Sequence, residues 1–183
     1  SGGRRLRERA TSPDFPVIVI NDSYLKLLVE NEFGVGQSVV QGFMNATNFM
    51  LPAARALVIG YGPCGKGTAE TLARLGARVC VVDTDPYRAL EAVMRGHRVG
   101  TLEDLLPEAQ VVFLATGHPN IIAEHHFPLL RDGVMLVGVG HDAYEANLDA
   151  LRKTATRTQS LSVAGAPDDA RIVHTLPSGR EVV

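Results

Sequence analysis

The sequence has 183 residues, of which 45% are hydrophobic and 21% are charged, enough apolar material for the core of one globular domain. The formal net charge of −2 lacks the lysine and arginine surplus of proteins that bind a nucleic-acid backbone, so we expect no nucleic-acid partner. No apolar run reaches the roughly 18 residues that a membrane-spanning helix needs, so we expect no membrane partner either.

The first segment is basic and poor in apolar residues. The sequence starts with Ser1 rather than with methionine, and we interpret Ser1, Gly2 and Gly3 as the remnant of a cleaved tag. We expect residues 1–16 to form a flexible arm and residues 17–183 to form one domain.

Two helices and a strand are predicted after this arm. The letters VIVIN from Val17 form a β-branched run that predicts a short strand. The stretch DSYLKLLVENEF that follows predicts a helix capped by Asp22 or Ser23. In GQSVVQGFMNATNFML, apolar residues recur at the spacing of an amphipathic helix, which we expect Pro52 to end.

The remainder of the sequence alternates between two patterns. Short, almost continuous apolar runs predict strands that are buried on both faces, at Ala56 to Gly60, Arg78 to Val82, Val111 to Ala115 and Val134 to Val139. Helical patterns lie between and after them, at Lys66 to Leu75, Pro86 to Met94, Leu102 to Leu105, Ile121 to Leu130 and Leu148 to Arg152. The tail RIVHTLPSGREVV predicts two more short strands around a turn. The alternation predicts an α/β fold, a Rossmann-type doubly wound parallel sheet in a three-layer αβα arrangement.

A glycine-rich stretch, GYGPCGKG, separates the first of these strands from its helix. It matches the pattern G-x-G-x-x-G, in which Gly60 permits the turn, Gly62 lets a phosphate approach the backbone, and Gly65 lets the helix pack on the strand. The N–H groups at the start of that helix would bind the phosphate. A tight turn that needs glycine only for its backbone is the alternative, but the strand before the motif and the helix after it favour a dinucleotide site.

The end of the second strand, VVDTDP, predicts which dinucleotide binds. Asp83 there can accept hydrogen bonds from both hydroxyls of the adenosine ribose. Its charge would repel the additional phosphate of NADP, so the sequence predicts NAD as the cofactor. Arg88 weakens this preference, because a guanidinium can hold a 2′-phosphate.

The two cysteines match no metal-ligand spacing. Cys80 lies inside an apolar strand and is expected to be buried, whereas Cys64 lies in the glycine loop and is expected to be partly accessible. This usage suits a reducing cytoplasm, which is the location that we expect.

Six segments follow one another in the order and approximate spacing seen in a known family: NDSYLKLLVEN, GYGPCGKG, DTDP, ATG, HHF and VGHDAYE. From about Val17 to its end, the sequence resembles the NAD-binding domain of S-adenosylhomocysteine hydrolase. The most specific part is the segment before the glycine loop, in which a lysine lies three residues after the serine of NDS and a helix leads into the loop.

The resemblance implies candidate catalytic residues. Lys26 corresponds to the lysine that assists proton removal at the substrate 3′-hydroxyl, Glu30 stands where the family has an aspartate, and His126 corresponds to a histidine near the active cleft. A solvated lysine and a capping histidine are the alternatives. We expect Lys26 to share a helix face with Asn31.

The resemblance also implies the residues that contact NAD, namely Asn31, Gly60, Gly62, Pro63, Cys64, Gly65, Asp83, Arg88, Ala115, Thr116, Gly117 and His141. The sequence departs from the family at Val35, where a cysteine is usual, and at Arg88, where an asparagine often faces the ribose. A polar residue usually precedes the glycine-histidine of the fourth strand, where this sequence has VGVGH.

Members of the family use NAD to oxidise the 3′-hydroxyl of an adenosyl substrate, eliminate homocysteine, add water and reduce the ketone again. In the family, a substrate domain precedes the strand predicted at Val17, and a C-terminal tail reaches the NAD of a neighbouring subunit. The resemblance therefore implies a homo-oligomer. We expect the chain, which lacks that substrate domain, to be inactive alone.

Two other functions stay open. One is a non-catalytic NAD-binding module with a regulatory or interaction role. The other is a different NAD-dependent oxidoreductase, such as a relative of the 2-hydroxyacid dehydrogenases, which would need a guanidinium and a histidine paired with an acid. Arg131 and His141 are available, but no spacing pairs them.

Overall fold

A five-stranded parallel sheet forms the centre of the molecule in the computed structural model, which describes residues 6–9, 11, 13–140, 144–161 and 171–183. Its strands are β1 (Arg55–Ile59), β2 (Arg78–Val82), β3 (Arg98–Val99), β4 (Val111–Leu114) and β5 (Met135–Gly138). They are ordered β3-β2-β1-β4-β5, with every neighbouring pair parallel. Four of these strands confirm the apolar runs. The two-residue β3 was not predicted, because it is too short to show a pattern.

Helices connect the strands. The α-helices are α1 (Gly36–Thr47), α2 (Pro63–Arg74), α3 (Pro86–Met94), α4 (Leu102–Leu105) and α5 (Leu148–Thr154). The helix predicted at Ile121 to Leu130 is instead a short 3₁₀ segment, Glu124–Leu129. Pro128 lies inside that segment and cannot donate a backbone hydrogen bond, which keeps it from becoming a regular α-helix. No described helix is long and apolar enough to cross a bilayer.

The core has two halves, one on each face of the sheet. Phe113 points to the half that contains Phe43 of α1 and Leu72 of α2. Its strand neighbour Leu114 points to the other half, which contains Phe127. Both halves are buried, because successive strand side chains alternate between the two faces of a sheet that is covered on both sides. The three-layer Rossmann-type α/β prediction is confirmed.

The strand predicted from Val17 is wrong. Ile20–Asp22 form a 3₁₀ turn, and Ile18 and Ile20 are 87% and 69% exposed. A β-branched run becomes a strand only when a neighbouring strand takes up its backbone hydrogen bonds, and none of the described strands pairs with this run.

The predicted helix that follows has an unusual geometry. Lys26–Val35 form a π-helix that continues directly into α1. The predicted end of α1 at Pro52 is also wrong, because the helix ends at Thr47. Asn48 caps it in the left-handed conformation, at φ 52°, and donates its N–H to the Met44 carbonyl at 2.8 Å. Asparagine tolerates this conformation better than most residues.

A small antiparallel sheet completes the described part of the chain. It contains β6 (Arg157–Ser160), β7 (Ile172–Thr175) and β8 (Glu181–Val182), in that order. The two strands predicted in the tail are confirmed as β7 and β8, whereas the polar and exposed β6 carried no apolar pattern. Val182 also bridges to Val134 in parallel, so β8 continues the edge of the main sheet beside β5.

The cysteine predictions have different outcomes. Cys64 is partly accessible, as predicted. Cys80 is half-buried rather than buried, and it pairs on one side with Arg98 of the two-residue β3. Burial still raises the pKa of the Cys80 thiol, and the charge of Arg98 opposes that effect.

Candidate functional site

The glycine loop between β1 and α2 is held tightly by its own backbone. Gly60 has φ +91° and donates its N–H to the Val82 carbonyl at 2.8 Å. A side chain at Gly65 would place its Cβ 1.8 Å from the Gly60 carbonyl oxygen and 3.3 Å from the Ala115 Cβ. Gly60 and Gly65 therefore lack side chains for structural reasons, since the turn and the contact between helix and strand leave no room for them.

Gly62 differs from both, because the space above it is open. A Cβ there would meet only the Arg88 Nη1 atom, at 3.7 Å. Gly62 is the N-cap of α2, the helix start has no side-chain cap, and Pro63 occupies the first turn. The hydrogen-bond ladder of the helix begins with the Lys66 N–H to the Gly62 carbonyl at 2.8 Å, so the N–H groups of Cys64 and Gly65 precede it. This geometry fits an anion held at a helix N-terminus.

The acid at the end of β2 is oriented by two backbone groups. Asp83 accepts the Tyr61 N–H at 2.5 Å on one carboxylate oxygen and the Asp85 N–H at 2.8 Å on the other. Each carboxylate oxygen keeps a second lone pair, so a half-buried Asp83 can still accept hydrogen bonds from two ribose hydroxyls. The residues present therefore fit an adenosine ribose next to a diphosphate.

Lys26, Asn31 and Cys64 form a hydrogen-bonded chain that joins the π-helix to the glycine loop. The Lys26 ammonium donates to the Asn31 side-chain oxygen at 2.6 Å, and the Asn31 amide nitrogen donates to the Cys64 sulfur at 3.0 Å. The predicted contact between Lys26 and Asn31 is confirmed, and the wider turn of the π-helix brings these two residues to one face. Glu30 pairs with Lys26 at 3.5 Å and is 62% exposed.

A second ionic cluster lies beneath the glycine loop, and the sequence interpretation missed it. The Lys66 ammonium contacts Glu32 of the π-helix at 2.9 Å and Glu91 of α3 at 3.3 Å. Burial alone would lower the pKa of Lys66, but the hydrogen bonds and charges of Glu32 and Glu91 outweigh it and raise this pKa. Lys66 stands within the quoted motif GYGPCGKG, but its partners come from distant parts of the sequence. The cluster ties three helical segments together around the loop.

The segment after β4 is held by a buried acid that the sequence interpretation also missed. The Glu145 carboxylate, 3% exposed, accepts the Thr116 N–H at 2.9 Å, the Thr116 hydroxyl at 2.7 Å and the Gly117 N–H at 3.1 Å. The Ala115 N–H donates to the Ile59 carbonyl at 2.8 Å. The backbone donors of this segment are thus already used within the protein, a fact that no spacing in the sequence shows.

His126 is a buried residue of the 3₁₀ segment. Its Nδ1 accepts the Ala123 N–H at 3.1 Å, and its Nε2 lies 3.9 Å from a Glu103 carboxylate oxygen. Burial and the neighbouring His125 lower the pKa of His126, while Glu103 opposes them. A neutral imidazole that accepts at Nδ1 carries its proton on Nε2. His141 lies outside the described residues.

Tyr61, the middle residue of GYG, points into the protein. It is 2% exposed, its ring lies 5.9 Å from the His97 ring in an edge-to-face contact, and its hydroxyl has no hydrogen-bond partner among the described residues. Burial, followed by the charge of Glu70, raises the pKa of this hydroxyl. The buried ring fixes the position of the loop. Burying the hydroxyl without a hydrogen-bond partner lowers the free energy of unfolding.

This geometry makes a prediction about stability. Tyr61→Phe removes an unpaired buried hydroxyl and keeps the ring, so it should increase the free energy of unfolding by about 1 kcal/mol. Urea unfolding measures the change, and the affinity for dinucleotide should not change. A loss of stability would contradict the assignment and would show that the hydroxyl has a partner.

The chain matches a known protein family. The family described as "S-adenosyl-L-homocysteine hydrolase, NAD binding domain" matches residues 31–183. An S-inosyl-L-homocysteine hydrolase of Methanothermobacter thermautotrophicus is 38% identical over 100% of this chain and 45% of its own length. An adenosylhomocysteinase of Archaeoglobus fulgidus is 42% identical over 82% of this chain and 37% of its own length.

Solved structures share the fold at low sequence identity. The A chain of dipicolinate synthase from Bacillus subtilis superimposes with a TM-score of 0.66 at 13% identity, over 74% of this chain and 46% of its own. A D-lactate dehydrogenase from Treponema pallidum has a TM-score of 0.59 at 18% identity, over 69% of this chain and 44% of its own.

Proposed function

This chain belongs to the S-adenosyl-L-homocysteine hydrolase family, as an NAD-binding domain, and from that membership we propose that it holds NAD for the hydrolysis of an S-nucleosyl-L-homocysteine. The chain spans less than half the length of the two relatives described above. The reaction is therefore proposed for a longer protein that carries this domain together with a substrate-binding part.

The glycine loop supports the proposal most directly. Gly62 leaves open space at the uncapped start of α2, where backbone N–H groups can hold a diphosphate. Asp83, which two backbone donors orient, would accept the hydroxyls of the adenosine ribose. Pro63 and Cys64, the first residues of α2, would lie next to the diphosphate. Asp83 favours NAD over NADP, because its carboxylate repels the 2′-phosphate of NADP.

The nicotinamide half would extend toward the segments after β4 and the π-helix. The hydrogen bond from Asn31 to Cys64 of the glycine loop supports a position for Asn31 beside the cofactor. Because Glu145 already occupies the N–H groups of Thr116 and Gly117, we expect Ala115, Thr116 and Gly117 to meet the cofactor through van der Waals contact. His141 completes the proposed set of contacts.

Bound NAD supplies the hydride acceptor for oxidation of the substrate 3′-hydroxyl. As the neutral amine, after its ammonium has released a proton, Lys26 would accept the proton of that hydroxyl, and its nitrogen is already positioned by Asn31 and Glu30. We propose that His126 acts near the substrate as a neutral donor through Nε2, since its Nδ1 is used by the Ala123 N–H.

The substrate class includes more than one base. The two relatives act, by their names, on S-inosyl-L-homocysteine and on adenosylhomocysteine. The residues proposed here bind NAD or act on the ribose of the substrate. None of these roles involves the base, so they are compatible with both substrates. The family resemblance also supports a homo-oligomer.

The proposal predicts the effect of filling the open space at Gly62. Gly62→Ala should fold, because its Cβ meets only the flexible Arg88 side chain, but should weaken NAD binding by on the order of tenfold or more, since the methyl group takes the space of the phosphate. Isothermal titration with NAD measures the affinity, and thermal unfolding confirms the fold.

Gly42→Ala provides the matched control. A Cβ at Gly42 of α1 meets nothing within 4 Å, so this variant should bind NAD as the unmutated chain does. Unchanged NAD affinity in Gly62→Ala, or an unmutated chain that does not bind NAD at millimolar concentration, would contradict the proposed function.

A further inference from the structure

The Arg88 side chain of α3 reaches the glycine loop at Gly62. Its Nη1 atom lies 3.7 Å from the position of a Cβ on Gly62. Arg88 comes from a separate βα unit, so tertiary structure brings it to the point where the backbone of α2 is open.

The charges around this guanidinium are incompletely balanced. Its described ion pair joins Nε to an Asp85 carboxylate oxygen at 3.6 Å, with Arg88 51% and Asp85 43% exposed. That distance exceeds a normal hydrogen bond, and exposed pairs contribute little. The guanidinium also lies next to the start of α2, the positive end of the helix dipole. Two positive groups this close favour an anion between them.

The geometry also indicates which phosphate of a dinucleotide would be the anion. Asp83, the expected ribose acceptor, turns its oxygens toward the Tyr61 and Asp85 N–H groups. Arg88 reaches the Gly62 side of the loop, where a diphosphate must pass. Its forked donors match two oxygens of a phosphate.

We propose that Arg88 binds the diphosphate of the dinucleotide, as the side-chain half of an anion site whose backbone half is the start of α2. This inference rests on the proposed function, and it specifies which part of the cofactor Arg88 contacts. It assigns Arg88 to the diphosphate shared by NAD, NADP and ADP, and not to the 2′-phosphate that NADP alone carries.

Titration of Arg88→Ala with NAD, NADP and ADP tests the proposal. Affinity for all three ligands should fall by about tenfold, because each contains the diphosphate and loses a charge-assisted contact. The ratio of NAD to NADP affinity should stay unchanged. Arg88→Lys keeps the charge without the fork and should lose less affinity. The salt dependence of NAD binding should also weaken in Arg88→Ala, which a purely structural role would not cause.

Arg78→Ala is the matched control, since it removes the same charge from an exposed residue at the start of β2, at the end of the strands opposite to the glycine loop. It should bind all three ligands normally. Unchanged affinities in Arg88→Ala, or a loss confined to NADP, would overturn the proposal, and the second result would assign Arg88 to the 2′-phosphate. An unmutated chain that binds ADP but not NAD would contradict the proposed function alone.

Discussion

Replacing Lys26 by alanine is expected to lower oxidation of the substrate 3′-hydroxyl by at least on the order of 10²-fold, the usual scale for losing general acid–base help. The reason is geometric. Asn31 accepts from the Lys26 ammonium at 2.6 Å, and the same asparagine donates to Cys64 of the glycine loop at 3.0 Å, so the lysine is positioned relative to the cofactor site. Single-turnover measurement of the bound cofactor's reduction, in a longer protein that carries this domain, gives the rate.

Lys153→Ala is the control for this variant, because Lys153 is an exposed lysine of α5. NAD affinity of the present chain should be the same with and without Lys26, since the proposed role concerns the substrate proton. Full oxidation activity in Lys26→Ala would show that this lysine is only a helix residue paired with Glu30.

Replacing Asp83 by alanine is expected to lower NAD affinity by about 100-fold, since two hydrogen bonds from ribose hydroxyls to a charged acceptor are lost. Affinity for NADP should change much less, because the same substitution removes the charge that repels the 2′-phosphate. Parallel titrations with both nucleotides therefore measure the loss of NAD affinity and the decrease in the ratio of NAD to NADP affinity.

The control for Asp83 removes an equal charge elsewhere. Asp149→Ala, at an exposed position in α5, should affect neither affinity. Asp83 also accepts the Tyr61 and Asp85 N–H groups, so unfolding of each variant must be measured. Asp83→Asn retains an acceptor and should lose less NAD affinity than the alanine variant. Equal losses for NAD and NADP would contradict the role of this acid in cofactor choice.

The fold could be predicted largely from sequence because its strands are buried on both faces. A continuous apolar run such as Val111–Leu114 can be recognised locally in the sequence. It predicts a strand correctly because both faces of the sheet are covered, so every side chain of the strand is buried. The same reasoning failed for β3 and β6, which are short or polar and become strands through pairing with β2 and β7. It failed in the opposite direction at Val17, where a β-branched run has no described strand beside it.

The features of the candidate site also fall into two groups, those that the sequence predicts and those that depend on tertiary contacts. By itself, the sequence determined the glycine loop and the acid after β2, since each depends on residues that are close together along the chain. It also indicated the family, through the order and spacing of six short segments. The motif also predicted that Gly62 leaves room for a phosphate and that Gly65 packs closely. Only the tertiary structure decided which side chains lie beside these glycines, because Arg88 near Gly62 and Ala115 near Gly65 come from separate elements. The hydrogen bonds from Asn31 to Cys64 and from Thr116 to Glu145 also join distant segments, and such contacts form only after the chain has folded.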